Sequence, residues 1–116
     1  MMSETRTENS PSAAKPSFQE FLAGDDVAVL DGAMGTMLYQ RGVFIHRAFE
    51  ELNLTEPATV LDVHREYVAA GADIIETNTF GANRFKLQPF GLSDQLEEIN
   101  RKACLLYTSD AADDQA

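Results

Sequence analysis

The sequence predicts an α/β fold on three observations. "VAVLD" (residues 27–31) and "ADIIETN" (72–78) are apolar runs of strand length that turn polar at their C-terminal ends. Near-continuous apolarity of this kind suits parallel strands covered on both faces. Helical periodicity fills the stretch between them, which makes strand–helix–strand with a right-handed crossover the natural reading. Each run is also followed by a glycine-bearing turn and a helical stripe, so the chain holds two strand-then-helix repeats. Two parallel strands leave edges that call for further strands. The 116 residues therefore read as the start of a larger α/β protein, with a barrel and an open sheet both compatible.

Residues 1–16 are rich in Ser, Thr, Pro and Ala and read as a disordered tail, because they cannot bury enough surface to offset their ordering entropy. "SFQEFLAG" reads as a short helix closed by Gly24 in a left-handed cap. After the first strand, "GAMGTMLYQRG" turns tightly on two glycines and starts a helical stripe at Met34, Met37 and Leu38. "VFIHRAFEELNL" reads as a loop with a short helix.

"TEPATVLDVHREYVAAG" is the clearest helix: Thr55 is placed to cap it and Pro57 to occupy its first turn. Val60, Leu61, His64, Tyr67 and Val68 share one face, and Gly71 ends the helix. "GANRFKLQPFG" reads as a short helix stopped near Pro89 and Gly91. Ser93 then caps a last helix with Leu92, Leu96, Ile99 and Ala103 spaced three and four apart.

Composition excludes several function classes. Nine basic and nineteen acidic residues give a net charge of −10, which argues against nucleic-acid and anionic-membrane partners. There is no apolar run near the ~20 residues of a membrane span, and the N-terminus lacks a secretory signal pattern. A cytoplasmic location is expected. A lone cysteine, Cys104, excludes a disulfide framework or a multi-cysteine metal site within these residues.

In α/β architectures ligands meet the C-terminal ends of the strands. Here Asp31 ends the first strand and Glu76, Thr77 and Asn78 end the second, so they should converge. Backbone N–H groups after Asp31 could hold a carboxylate or phosphate, and Asp31 could accept from an ammonium group, a pairing that suits an amino acid. The residues equally allow a plain capping Asp and polar strand ends that satisfy their own loops. His64 reads as a packing histidine, and Glu50–Glu51 and Glu97–Glu98 as solvated helix faces. Two rivals follow: a non-catalytic anion- or amino-acid-binding module, and a barrel enzyme with a phosphate-binding loop.

"VLDGAMGTMLYQRG", "FEELNLTEPATVLDVHREYVAAGADIIETNTFGANRFKL" and "FGLSDQLEEINRKA" together resemble the N-terminal part of the homocysteine S-methyltransferase family. That family includes cobalamin-dependent methionine synthase and betaine–homocysteine methyltransferase. The "RGVFIHRAFEELNL" segment is most similar to the branch fused to a methylenetetrahydrofolate reductase. The resemblance covers residues 20 to 103 and implies a partial (β/α)8 TIM barrel, about the first two β/α units. It implies methyl transfer to the homocysteine thiol on a zinc ion held by cysteine thiolates, with FAD if a reductase domain is present in the parent. By the same resemblance Asp31, Gly32, Ala33, Met34, Thr77, Asn78 and Thr79 bind homocysteine. The expected partners are homocysteine and a methyl donor, with no nucleic acid and no membrane.

The resemblance places the zinc cysteines on later strands, so no catalytic or metal residue is expected among these residues and the chain alone is expected to be inactive. Residues 104–113 match, residue for residue, a translation of transposase-adapter DNA used in sequencing libraries. A non-native tail is therefore expected over 104–116, which would remove Cys104 from any role.

Overall fold

A buried polar helix turn and two small apolar clusters organise the molecule. The computed structural model describes residues 16–44 and 46–115, with side chains as far as Tyr107. The expected tail, residues 1–16, lies outside the described residues except for Pro16. Helix α1 (Phe18–Ala23) starts with a reciprocal capping box, in which Ser17 and Glu20 each accept from the other's backbone N–H. Gly24 ends it in extended backbone at φ −95°, so the expected left-handed cap is not used.

Helix α2 (Gly35–Gln40) follows the first extended segment. A 3-10 turn (Phe49–Glu51) runs directly into α3 (Leu52–Thr55). Helix α4 (Pro57–Ala69) begins with Pro57 in its first turn, where the missing N–H is harmless. The expected Thr55 cap is displaced: Thr55 closes α3, its hydroxyl donating to the Glu51 carbonyl at 3.3 Å, and Glu56 occupies the cap position without a side-chain bond. Gly71, at φ +113°, takes the left-handed backbone that ends α4. Helix α5 (Arg84–Leu87) is capped by the Asn83 side chain and passes through a 3-10 turn containing Pro89. Ser93 opens a further 3-10 turn instead of capping, and α6 (Leu96–Gln115) completes the described chain.

The two expected strands lie parallel but form no β-strand among the described residues; their contact is one bridge, Leu30 with Ile74. Asp31 N–H donates to the Ile74 carbonyl at 3.0 Å, and Ile74 N–H to the Val29 carbonyl at 3.4 Å. In a parallel ladder the next rungs would join Val29 N–H to residue 72 and Glu76 N–H to residue 31 through backbone carbonyls. Aspartate side chains take both donors instead: Asp73 Oδ2 accepts from Val29 N–H at 2.9 Å, and Asp31 Oδ2 from Glu76 N–H at 3.0 Å. The ladder therefore stops after one residue on each side. The expectation that these runs are buried also fails for the first: Val27, Val29 and Leu30 are exposed, with Val27 at 72%. The described part is mostly helical, and none of its helices is long and apolar enough to cross a membrane.

Apolar packing is split between two clusters. Leu38, Val43, Leu52, Val60, Val63 and Leu106 form the first, with Met34, Met37, Phe49 and Tyr67 against it. Ala48, Leu87, Leu92 and Ile99 form the second, flanked by Leu54, Ala82 and Leu96. Helix α3 joins them, with Leu52 in one, Leu54 beside the other and Asn53 between. The buried face of α4 is Val60, Val63 and His64: Val60 and His64 belong to the expected stripe, Val63 was not in it, and Leu61, Tyr67 and Val68 are not buried. Arg41, at the end of α2, ties that helix to α4 through Asp62 at 3.1 Å and Glu66 at 2.7 Å.

Leu52 is fully buried at the junction. Leu52→Ala should cost about 2–5 kcal/mol, the range for large-to-small core truncation. Urea unfolding of the chain should show a lower midpoint with an unchanged slope; an unchanged midpoint would place the core elsewhere.

Candidate functional site

The polar ends of the two extended segments open into one cleft of about 560 Å³, lined by Asp31, Gly32, Met34, Glu76, Thr77, Asn78, Thr79 and Phe80. A second hollow of about 400 Å³ adjoins it, lined by Ala33, Gly35, Thr36, Phe49 and Glu50 and sharing Met34, Asn78 and Phe80. Six of the seven residues singled out from the sequence thus line the main cleft, and Ala33 lines the adjoining one.

The first wall is the Asp31–Met34 loop. Tyr67 on α4 donates from its hydroxyl to the Ala33 carbonyl at 2.7 Å. A Cβ at Gly32 would stand 3.1 Å from the same hydroxyl, so glycine lets the ring lie against the turn. Phe49 crowds Gly35 in the same way, at 3.1 Å. Neither glycine has a positive φ. These glycines answer to the approach of aromatic rings, not to left-handed turn geometry.

The second wall is the Thr77–Gly81 loop, and its anchor is Asn78. The Asn78 amide N–H groups donate to the Phe49 carbonyl at 2.9 Å and to Asn53 Oδ1 at 3.1 Å. Asn53 in turn donates to the Asn78 carbonyl at 2.9 Å and the Ile99 carbonyl at 3.2 Å. Both side chains are buried, Asn53 completely. Asn78 therefore borders the cleft with both amide protons committed to holding the wall. The Thr77 and Thr79 hydroxyls pair with each other at 2.8 Å on the accessible side of the loop. Glu50, read from the sequence as solvated, accepts from Gly81 N–H at 2.8 Å and pins the far end of the loop. A Cβ at Gly81 would come within 2.9 Å of that carboxylate.

Asp31 and Glu76 put two carboxylates in the cleft. Among the described residues no acceptor takes the backbone N–H groups of Gly32, Ala33 or Met34. Met34 and the 94%-exposed Phe80 supply apolar surface. The arrangement offers a site for a cationic group, adjacent donors for an anionic group, and an apolar patch between the walls. Helix α2 has only 6 residues, so anion recognition here rests on the loop's own N–H groups.

His64 lies on the buried face of α4 at 1% exposure, its ring edge-on to Tyr107 at 6.5 Å. Burial lowers its proton affinity, and the nearby Asp31 charge partly restores it. The sequence reading of a packing histidine agrees with this burial. Cys104 is a free, exposed thiol on α6. Among the described residues no group of three or more His, Cys, Asp or Glu is placed to hold a metal ion.

Asn53, Glu50, Tyr67 and Phe80 shape the site and were not among the site residues expected from the sequence. Asn53 alone had a local signal, being a lone amide between Leu52 and Leu54 in an apolar helix turn.

A family model described as homocysteine S-methyltransferase matches residues 28–116, a span that runs on through the residues after Cys104. The chain is 35% identical over 86 residues to a methionine synthase of Mycobacterium leprae (strain TN), covering 69% of this chain and 7% of that protein. It is 38% identical over 82 residues to a methionine synthase of Mycobacterium tuberculosis (strain ATCC 25618 / H37Rv), covering 66% of this chain and 7% of that protein. The chain thus spans about 7% of the length of these curated relatives.

Asn53→Leu keeps the volume of the side chain and removes its amide. It strands the Asn78 and Ile99 carbonyls and one Asn78 proton, each at about 1–3 kcal/mol. Urea unfolding should register the loss, and the Asn78 side-chain amide protons should lose protection from exchange; retained protection would show that Asn78 is held by other means. The His64 environment has a pH consequence. The unfolded chain takes up this proton near the ordinary value of 6.5 and the folded chain resists it, so stability falls as pH drops below 6.5. His64→Gln should flatten part of that slope between neutral and mildly acid pH; an identical slope would assign the acid sensitivity to carboxylates alone.

Proposed function

The chain belongs to the homocysteine S-methyltransferase family, and we propose that its cleft binds the amino-acid end of homocysteine in a protein that methylates the homocysteine thiol. The observation that carries this reading is the facing of "DGAMG" and "ETNTF" across one cleft that holds two carboxylates beside unengaged N–H donors. Asp31 would accept from the substrate ammonium group, with Glu76 adding negative charge nearby. The N–H groups of Gly32, Ala33 and Met34 would donate to the substrate carboxylate. Thr77 and Thr79 offer hydroxyls, and Met34 and Phe80 an apolar path for the substrate methylenes. Asn78 holds the wall.

The fold we propose for the intact domain is the family's (β/α)8 barrel, with residues 27–31 and 72–78 as its first two strand positions. The exposed apolar side chains of Val27, Val29 and Leu30 support this, since a barrel would cover them. Zinc in this family would activate the substrate thiol by lowering its pKa. The described residues do not fit that ion: the only cysteine in the sequence is the exposed Cys104, and one thiol does not make a thiolate set. Thiol activation must therefore come from elsewhere in the parent protein, and the 116 residues by themselves should not methylate homocysteine.

The likeness of "RGVFIHRAFEELNL" to the reductase-fused branch supports a parent with a methylenetetrahydrofolate reductase domain and its FAD. Residues 104–116 are taken as foreign to the parent on the adapter match alone. Long sequencing reads across the gene test this, and genomic DNA that encodes residues 104–116 in place would overturn it.

Titration calorimetry of the chain with homocysteine should show saturable binding, and Asp31→Asn should weaken it about tenfold or more, the worth of one charge-assisted hydrogen bond. Binding of inorganic phosphate in preference to homocysteine would overturn this reading in favour of a phosphate-loop enzyme. Methionine formed by the chain with zinc and a methyl donor would overturn the assignment of thiol activation to other residues.

A further inference from the structure

We propose that His64 is the positioning residue for Asp31, one bridging water accepting from its imidazole Nδ1–H and donating to Asp31 Oδ1 so that the carboxylate is fixed in the cleft. The functional meaning rests on the reading of Asp31 as the partner of the substrate ammonium group.

Asp31 Oδ2 is held by Glu76 N–H at 3.0 Å, which leaves Oδ1 as the oxygen whose direction is unset. Asp31 Oδ1 and His64 Nδ1 are the two buried side-chain polar atoms without a hydrogen-bond partner among the described residues. Buried polar atoms are nearly always satisfied, so each of these is a conspicuous cost. Their chemistry is complementary: a carboxylate oxygen can only accept, and a neutral imidazole carries one N–H on either nitrogen. One water that accepts from Nδ1–H and donates to Oδ1 satisfies both atoms.

The placement agrees. Tyr67, one turn further along α4, donates to the Ala33 carbonyl and lies under Gly32. The His64–Tyr67 face of α4 is therefore the floor of the Asp31–Ala33 loop. On its other side His64 meets the edge of the Tyr107 ring. The Asp31 charge is felt at the imidazole, raising its proton affinity against the lowering by burial.

Long-range 1H–15N NMR of the chain reads the tautomer directly, with the exposed His46 as an internal reference. His64 should be in the Nδ1–H form. In Asp31→Ala it should lose that preference, and its titration midpoint should move further down. An Nε2–H tautomer in the unmodified chain overturns the proposal, as does an unchanged tautomer in the variant; should the variant not fold, the tautomer of the unmodified chain decides alone.

A second readout separates positioning from packing. His64→Asn places an amide close to the Nδ1 position and His64→Gln close to Nε2. His64→Asn should keep most of the homocysteine affinity, while His64→Gln loses about tenfold. Equal losses in both would reduce His64 to packing. If the unmodified chain binds no homocysteine, the proposed function fails, and the NMR result still decides the His64–Asp31 pairing.

Discussion

The buried Asn53–Asn78 pair is the interaction on which the rest of the structure depends. Each amide satisfies the other and then reaches outward, Asn78 to the Phe49 carbonyl and Asn53 to the Ile99 carbonyl. Four separate parts of the chain meet there: the 3-10 turn before α3, α3 itself, the Thr77–Gly81 loop and α6. Apolar burial alone gives no direction to that junction, because it is divided between two small clusters bridged by α3 and α6. A hydrogen-bonded amide pair adds direction to that junction, since it tolerates one register of the loop against the helices. The same pair removes Asn78 from ligand chemistry and leaves Thr77, Thr79 and Phe80 to face the cleft.

Carboxylates shape the same cleft from its other wall. Asp73 and Asp31 accept from backbone donors that would otherwise extend a parallel ladder. The two extended segments consequently diverge just where Asp31 and Glu76 line the cleft. Local pairing is lost, and an opening lined by acceptors and free N–H groups is gained. Tyr67 and Glu50 hold the two rims by contacts to backbone atoms, at Ala33 and Gly81. Both rims thus depend on glycines that allow a side chain close to the turn.

Much of this was legible in the sequence and some was not, for identifiable reasons. Helix α4 was readable because periodicity, Pro57 and Gly71 all act locally. The meeting of Asp31 with Thr77–Thr79 was readable because apolar runs that turn polar mark strand ends whatever their neighbours do. Thr55 was misread because an adjoining turn of helix claimed it, and composition does not distinguish a cap from the last residue of a preceding helix. The strands were misjudged because side-chain acceptors competed for ladder donors. Asn53 was passed over and Glu50 was read as solvated because their partners lie 25 to 46 residues away for Asn53 and 31 for Glu50. No local pattern encodes such contacts.

The central claim is that one cleft, walled by the Asp31–Met34 and Thr77–Gly81 loops, receives an amino acid. Backbone 1H–15N chemical-shift mapping of the chain during titration with homocysteine tests it most directly. The account predicts saturable shifts concentrated at Gly32, Ala33, Met34, Thr77 and Thr79, with the Asn78 side-chain amide protons still protected from solvent exchange. Shifts centred on other residues, or none at millimolar homocysteine, would contradict it.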